Sequence, residues 1–263
     1  MAPIRIIFSN QKGGVGKTTL CRELGIYISS LGHQILLVDC DPQGNLTKSL
    51  VEETPTGLYE ALEGDGIKPV GLGPSLSILA GDFRLSLLEK RLVAEIDCYS
   101  RLKDLFLRPQ FQEYEYIFLD TPPSLGVLTV NALTAADHLL IPMNPSLYSM
   151  QGTNDLMATI AKVKKTLNPA LTLLGVIINS FDSIPVITRQ IKQEIKESFG
   201  DKVFHTALSK SIKLEESIAS KTGVIFHKRL DKSRARLEVC ALGDELLSRL
   251  DGRAVREVSH GSR

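Results

Sequence analysis

Between residues 11 and 19 the chain reads Gln-Lys-Gly-Gly-Val-Gly-Lys-Thr-Thr, a string that few local structures can accommodate. Three glycines in four positions argue against a helix interior, where each would cost about 1 kcal/mol relative to alanine. A short apolar run, Ile4-Arg5-Ile6-Ile7-Phe8, precedes the string and reads as a buried strand; Leu20 to Leu31 follows it and reads as a helix stopped by Gly32. Between the two, the glycines make a loop whose backbone N–H groups can turn inward around an anion. The start of the helix adds partial positive charge at the same place. Lys17 supplies a full charge, and Thr18 supplies a hydroxyl suited to Mg²⁺. Gly13, Gly14, Val15, Gly16, Lys17, Thr18 and Thr19 are therefore the expected phosphate cradle. The usual G-x-x-x-x-G-K-[ST] spacing would place a glycine at position 11. This chain has Gln11 there, with an additional lysine, Lys12, directly after it.

Two later strands end in carboxylates. Gln34 to Val38 runs into Asp39-Cys40-Asp41-Pro42-Gln43-Gly44-Asn45, and Tyr116-Ile117-Phe118-Leu119 runs into Asp120-Thr121-Pro122-Pro123. Open α/β sheets bind ligands just beyond the carboxyl ends of their strands. Asp39 taken alone has a second, lesser reading as a capping residue before the turn. Asp41 can hold and polarise a water for in-line attack on a γ-phosphate. Asp120 can fix Mg²⁺ through a water of its shell, and the two prolines after it stop the strand and stiffen the turn.

The alternation continues downstream. Leu76–Leu79 reads as a strand, Leu85–Ile96 and Leu102–Leu107 as core-facing helices, Leu125–Ala136 as a helix, His138–Pro142 as a strand, Ser149–Leu167 as a helix and Leu171–Ile178 as a strand that ends at Asn179. Residues 52–75, rich in Gly, Pro and Thr, read as a surface excursion with one helical island at Leu58–Leu62. The expected fold is α/β: a doubly wound, mostly parallel sheet flanked by helices, of the P-loop NTPase type. Loops 11–19, 39–45, 120–124 and residue 179 then converge on one edge. Residues 1–251 are expected to form a single domain, and 252–263 a polar tail that frays.

Composition narrows the classes. In 263 residues no apolar run reaches the roughly 18 needed to span a bilayer, and the N-terminus does not read as a secretory leader. The four cysteines and five histidines have no metal-ligand spacing. The formal charge of +1 conceals an asymmetry: residues 1–181 carry −3, residues 182–236 carry +5 and residues 237–263 carry −1. Within the basic segment Arg189, Lys192 and Lys196 recur at helical spacing, and Lys210 and Lys213 follow. Such a cluster reads either as a solvated surface or as a surface for DNA phosphates, since it lacks the interleaved aromatics of base stacking.

The motifs at 12–19, 39–45 and 120–123 resemble, in that order, the deviant Walker A, switch I and Walker B/switch II segments of the ParA/MinD/Fe-protein superfamily, and most of the chain resembles its ParA/Soj-type partition ATPases. The resemblance implies a weak intrinsic ATPase with ATP and Mg²⁺ as cofactors, held by Gly13 to Thr19. Thr18 would bind the ion and Asp120 would support it through water. Lys17 would neutralise the phosphates and Asp41 would orient the attacking water. Lys12 matches the signature lysine that crosses to the partner's phosphates in an ATP-bound homodimer. Asn179 matches the place of an adenine contact, although its position after a strand reads equally as a turn residue. The family further implies non-specific DNA binding, stimulation by a ParB-like adaptor, a cytoplasmic, nucleoid-associated location, and a role in chromosome or plasmid segregation.

The chain also departs from its relatives. Asp182-Ser183-Ile184-Pro185 stands where they often carry Asp-x-Arg-Thr. Ser209 to Ile218 replaces a segment in which they place arginines and a proline, so Lys210 and Lys213 keep the charge but not arginine's fork. A MinD-like spatial regulator, or another superfamily ATPase that does not bind DNA, is the alternative. A membrane-binding role would need an amphipathic C-terminal helix, an iron–sulfur role a second suitably spaced cysteine, and a tyrosine-kinase role a C-terminal tyrosine cluster, whereas the last tyrosine is Tyr148.

Overall fold

The computed structural model describes residues 2–145, 149–181, 185–227 and 233–252; of residues 149–154, 180, 181 and 185–189 only the backbone is described. In chain order the elements are β1 (Ile4–Phe8), α1 (Lys17–Ser30), β2 (Ile35–Asp39), α2 (Asn45–Lys48), α3 (Leu58–Glu63), β3 (Val70–Gly71), β4 (Leu76–Leu79), α4 (Arg84–Leu92), α5 (Arg101–Leu105), β5 (Tyr116–Asp120), α6 (Val127–Ala135), β6 (His138–Met143), α7 (Ser149–Thr166), β7 (Thr172–Phe181), α8 (Pro185–Phe199), β8 (Leu208–Ser209), α9 (Ile212–Ala219) and α10 (Arg234–Leu250).

The strands form one sheet in the order β3-β4-β2-β5-β1-β6-β7-β8, parallel except for the β3–β4 pair. Successive side chains of a strand point to opposite faces. Hence Ile7, Ile117 and Leu119 enter one core, with α3 to α8, while Ile6, Phe8 and Phe118 enter the other, with α1, α2, α9 and α10. Both faces are covered, which accounts for the uninterrupted apolar character of β2 and β5. The expected doubly wound sheet is the fold observed.

Two sequence readings need correction. The helix expected over Leu85–Ile96 stops at Leu92, and Ile96 is fully exposed. Past Leu92 the backbone closes tighter i→i−3 bonds, Ala94 N–H to the Arg91 carbonyl and Glu95 N–H to the Leu92 carbonyl, and Asn131 on α6 holds the far end of the resulting turn, donating to the Cys98 carbonyl and accepting from the Leu102 N–H. The strand expected to finish at Ile178 continues to Phe181, so Asn179 lies inside β7, paired with Leu208 of β8, and is not a turn residue. The segment 52–75 contains the expected helix, α3, and also β3, which adds an antiparallel edge strand. The C-terminal tail expected to fray falls, after Gly252, outside the described residues.

Candidate active site

The carboxyl ends of β1, β2, β5 and β7 bring the predicted loops together. Gly14 and Gly16 have φ of +72° and +88°, a left-handed backbone that strongly favours glycine. The loop is held from outside by two buried asparagines. Asn10 donates from Nδ2 to the Pro142 carbonyl at 2.7 Å and accepts the Lys12 N–H at 3.0 Å. Asn179 donates to the Val15 carbonyl at 2.7 Å, and a Cβ on Gly16 would collide with its amide. Asn179 therefore straps down the end of the loop, a role that its sequence position did not disclose.

Lys17 opens α1 and is buried, its Nζ 3.4 Å from the Lys12 carbonyl oxygen. Burial lowers its pKa, while the carboxylates of Asp120 and Asp41 pull the other way. Gly13, Gly14, Gly16, Lys17, Thr18 and Asp41 line a cavity of about 550 Å³ that extends along α1 to Arg22. Lys12 is half-buried at the start of the loop.

Of three aspartates at the strand ends, Asp41 lines the cavity while Asp39 and Asp120 do not. Asp39 is buried and well satisfied, accepting from the Thr47 N–H and hydroxyl, both at 2.8 Å, and from the Asp41 N–H at 3.2 Å. Burial pushes its pKa up to about 6. Thr47 in turn accepts the Gly81 N–H at 2.9 Å, so Asp39 anchors the loop that carries Asp41. Asp41 itself is buried and accepts the Gln43 N–H at 2.9 Å. Asp120 is fully buried, and neither of its carboxylate oxygens finds a partner at hydrogen-bonding geometry. Burial, followed by the neighbouring Asp39, raises its pKa well above the ordinary range; the Thr18 hydroxyl and Lys17 oppose that shift. An orphaned carboxylate beside a hydroxyl and a lysine is the donor set that a hydrated Mg²⁺ would complete. Among the described residues no cluster of three or more His, Cys, Asp or Glu could hold a metal, and Mg²⁺ held mainly by phosphates and water needs none.

On α1 the sequence reading missed Arg22 and Glu23, both fully buried and paired with each other. Arg22 also donates to the carbonyls of Ser49 at 3.4 Å and Ser217 at 3.0 Å, while Glu23 accepts from the Ser217 hydroxyl at 3.0 Å and the Val224 N–H at 2.9 Å. The pair thus joins α1 to the segment after α2 and to α9. Adjacent charges in a helix carry no sequence mark of burial, so only the packing reveals them.

The predicted DNA residues are spread across three elements. Lys196 is exposed on α8, and Lys192 is half-buried on the same helix, its pKa lowered by burial and then by the nearby Arg234. The side chain of Arg189 lies outside the described residues. Lys210 is exposed after β8, and Lys213 on α9 bonds to Glu216 at 3.0 Å. Ion pairs of Lys221 with Glu52 and Arg234 with Glu238 further divide the basic segment. No helix of the described residues is long and apolar enough to cross a membrane.

Comparison with known proteins identifies the family and the fold. The family model described as an AAA domain matches residues 4–173. The Chromosome partitioning protein ParA of Myxococcus xanthus is 39% identical over 251 residues, 93% of this chain and 88% of its own length. The Sporulation initiation inhibitor protein Soj of Bacillus subtilis is 38% identical over 220 residues, 81% and 86% of the respective chains. Among solved structures, a Mycobacterium smegmatis protein named cobyrinic acid a,c-diamide synthase, holding an ATP analogue and magnesium, superposes with a TM-score of 0.82 at 28% identity, covering 96% of this chain and 98% of its own. With its phosphate loop, its strand-end aspartates and these similarities over most of its length, the chain belongs to the ParA/Soj family of chromosome-partitioning ATPases.

Proposed function

We propose that this ATPase is a switch that binds DNA without sequence preference as an ATP-bound homodimer and releases it when an adaptor of the ParB type stimulates hydrolysis. The observation that carries this reading is the convergence of Lys17, Thr18 and Asp41 on one cavity, with Asp120 buried and unpartnered behind it. The backbone of Gly13 to Thr19 holds the phosphates and Lys17 neutralises them. Thr18 and, through water, Asp120 would hold Mg²⁺, which would supply charge neutralisation at the phosphates. Asp41 orients the water. Lys12 reaches the partner's phosphates, so hydrolysis belongs to two chains and is slow in one. An adenine contact by Asn179 belongs to this reading through the family resemblance alone, since its amide is buried and donates to the Val15 carbonyl. Lys192, Lys196, Lys210 and Lys213, together with Arg189, offer charges for DNA phosphates. Their dispersal favours backbone attraction over base readout. Through DNA the protein would gather on the nucleoid and position chromosome or plasmid cargo.

The reading is tested by measuring DNA binding with ADP, ATP and a slowly hydrolysed analogue across a salt series. The expected result is binding to any sequence with ATP or the analogue, weakening steeply with salt, and little binding with ADP. Equal binding in all nucleotide states, or none in any, would overturn it.

A further inference from the structure

Lys12 is held through its backbone on two sides. Its N–H donates to Asn10 Oδ1 at 3.0 Å, and its carbonyl oxygen lies 3.4 Å from Lys17 Nζ. The two holds differ in permanence. Lys17 is the cation that a bound phosphate would claim, and its contact with Lys12 is already long for a hydrogen bond. Asn10 has no such competing demand. It is 3% exposed, and its amide nitrogen is fixed by the Pro142 carbonyl of β6 at 2.7 Å. Its oxygen is thereby fixed in orientation, because an amide that donates on one side must present its acceptor on the other. The hold on Lys12 is thus built on the sheet, through β6, and not on the phosphate loop alone.

We propose that Asn10 is a positioning residue for Lys12: by tying the Lys12 N–H to β6, it keeps the lysine aimed across the dimer interface when Lys17 has turned to the phosphates. The proposal rests on the reading of Lys12 as acting on the partner's nucleotide. Asn10 is not among the residues that line the cavity. Its loss leaves the cradle from Gly13 to Thr19 in place, since Asn179 and the glycine conformations fix that part of the loop independently.

The test compares Asn10→Ala, Lys12→Ala and the double variant in the full-length chain, reading three quantities: affinity of the monomer for a fluorescent ATP analogue, ATP-driven dimerisation by light scattering, and the split of ATPase activity into kcat and KM. Asn10→Ala is expected to weaken dimerisation and kcat by about tenfold, the order of one lost buried hydrogen bond, with monomer affinity and KM little changed. The double variant is expected to be no worse than Lys12→Ala alone, because both act through one group. Asn10→Ser, with a shorter side chain that still donates and accepts, is expected to recover part of the loss and serves if the alanine variant folds poorly. The proposal is overturned if Asn10→Ala dimerises normally, if its effect adds to that of Lys12→Ala, or if it loses nucleotide affinity in the monomer as severely as dimerisation. A silent Lys12→Ala, by contrast, would remove the trans role itself, and the role of Asn10 with it.

Discussion

Asp39 and Asp120 sit side by side at the ends of β2 and β5, paired in register, yet their bonding is opposite. Asp39 accepts three hydrogen bonds, two of them from Thr47, whereas Asp120 accepts none of good geometry. One carboxylate serves architecture, and the other makes no hydrogen bond that would compete with the Mg²⁺ role proposed for it.

Asp120→Asn should separate these roles. It replaces a carboxyl whose ionisation is opposed by burial and by Asp39 with a neutral amide of the same shape, so the nucleotide-free fold should be about as stable as the wild type. The gain in ATP affinity that Mg²⁺ provides should fall by about 10–100-fold, the usual effect of losing an outer-shell metal partner. Titrations with and without Mg²⁺ check this; an undiminished Mg²⁺ effect would take Asp120 out of the metal site.

Asp39 makes a pH prediction. Its pKa rises from the ordinary 3.8 to about 6 on folding, because burial outweighs its hydrogen bonds. The folded state therefore holds a proton that the unfolded chain has released. This contribution to stability is complete below about pH 4 and is lost as pH rises through about 6. Urea denaturation of the nucleotide-free protein at intervals between pH 4 and 7 should show this fall, and the difference between wild type and Asp39→Asn should trace it. A difference independent of pH would contradict the shift.

Gly16 and Asn179 form a second coupled pair. Gly16→Ala imposes a side chain on a left-handed residue, at about 1–2 kcal/mol, and drives its Cβ into the Asn179 amide. ATP binding should be lost. Asn179→Ala opens the space, so the double variant should bind ATP better than Gly16→Ala alone. Titration with a fluorescent nucleotide decides; strictly additive losses would mean that the collision is not the cause.

The buried pair Arg22–Glu23 bears on stability. Glu23→Gln strands the Arg22 charge among Ser49, Ser217 and the α1 backbone, and should cost about 3–5 kcal/mol. Adding Arg22→Met removes that charge and should return part of the loss. Chemical denaturation of the three proteins checks the sign, and a double variant weaker than Glu23→Gln would contradict it.

The phosphate loop, Asp41 and Asp120 were legible in the sequence because their signal is local: glycines beside a lysine, and carboxylates at the ends of apolar strands. The alternation of strands and helices gave the fold for the same reason. What stayed hidden depends on contacts between distant segments. Asn10 meets Pro142 and Asn179 meets Val15 only once β1, β6 and β7 are neighbours in the sheet. Thr47 carries no sequence mark of its role, which arises only where Asp39 and Gly81 converge on its hydroxyl. The turn that follows α4 was equally invisible, because Asn131 on another helix holds its far end at Cys98 and Leu102.

The central claim is that each site borrows its Lys12 from the other chain. Mixing Lys12→Ala protein with Asp41→Ala protein tests it most directly, with ATP turnover as the measurement. Each parent should be nearly silent. In a heterodimer, the site on the Lys12→Ala chain keeps its own Asp41 and receives an intact Lys12 from its partner. An equimolar mixture should therefore recover up to about a quarter of the wild-type rate, from half the dimers with one competent site of two. If Lys12 served its own nucleotide, neither site of the heterodimer would be whole, and turnover in the mixture would stay at the level of the silent parents.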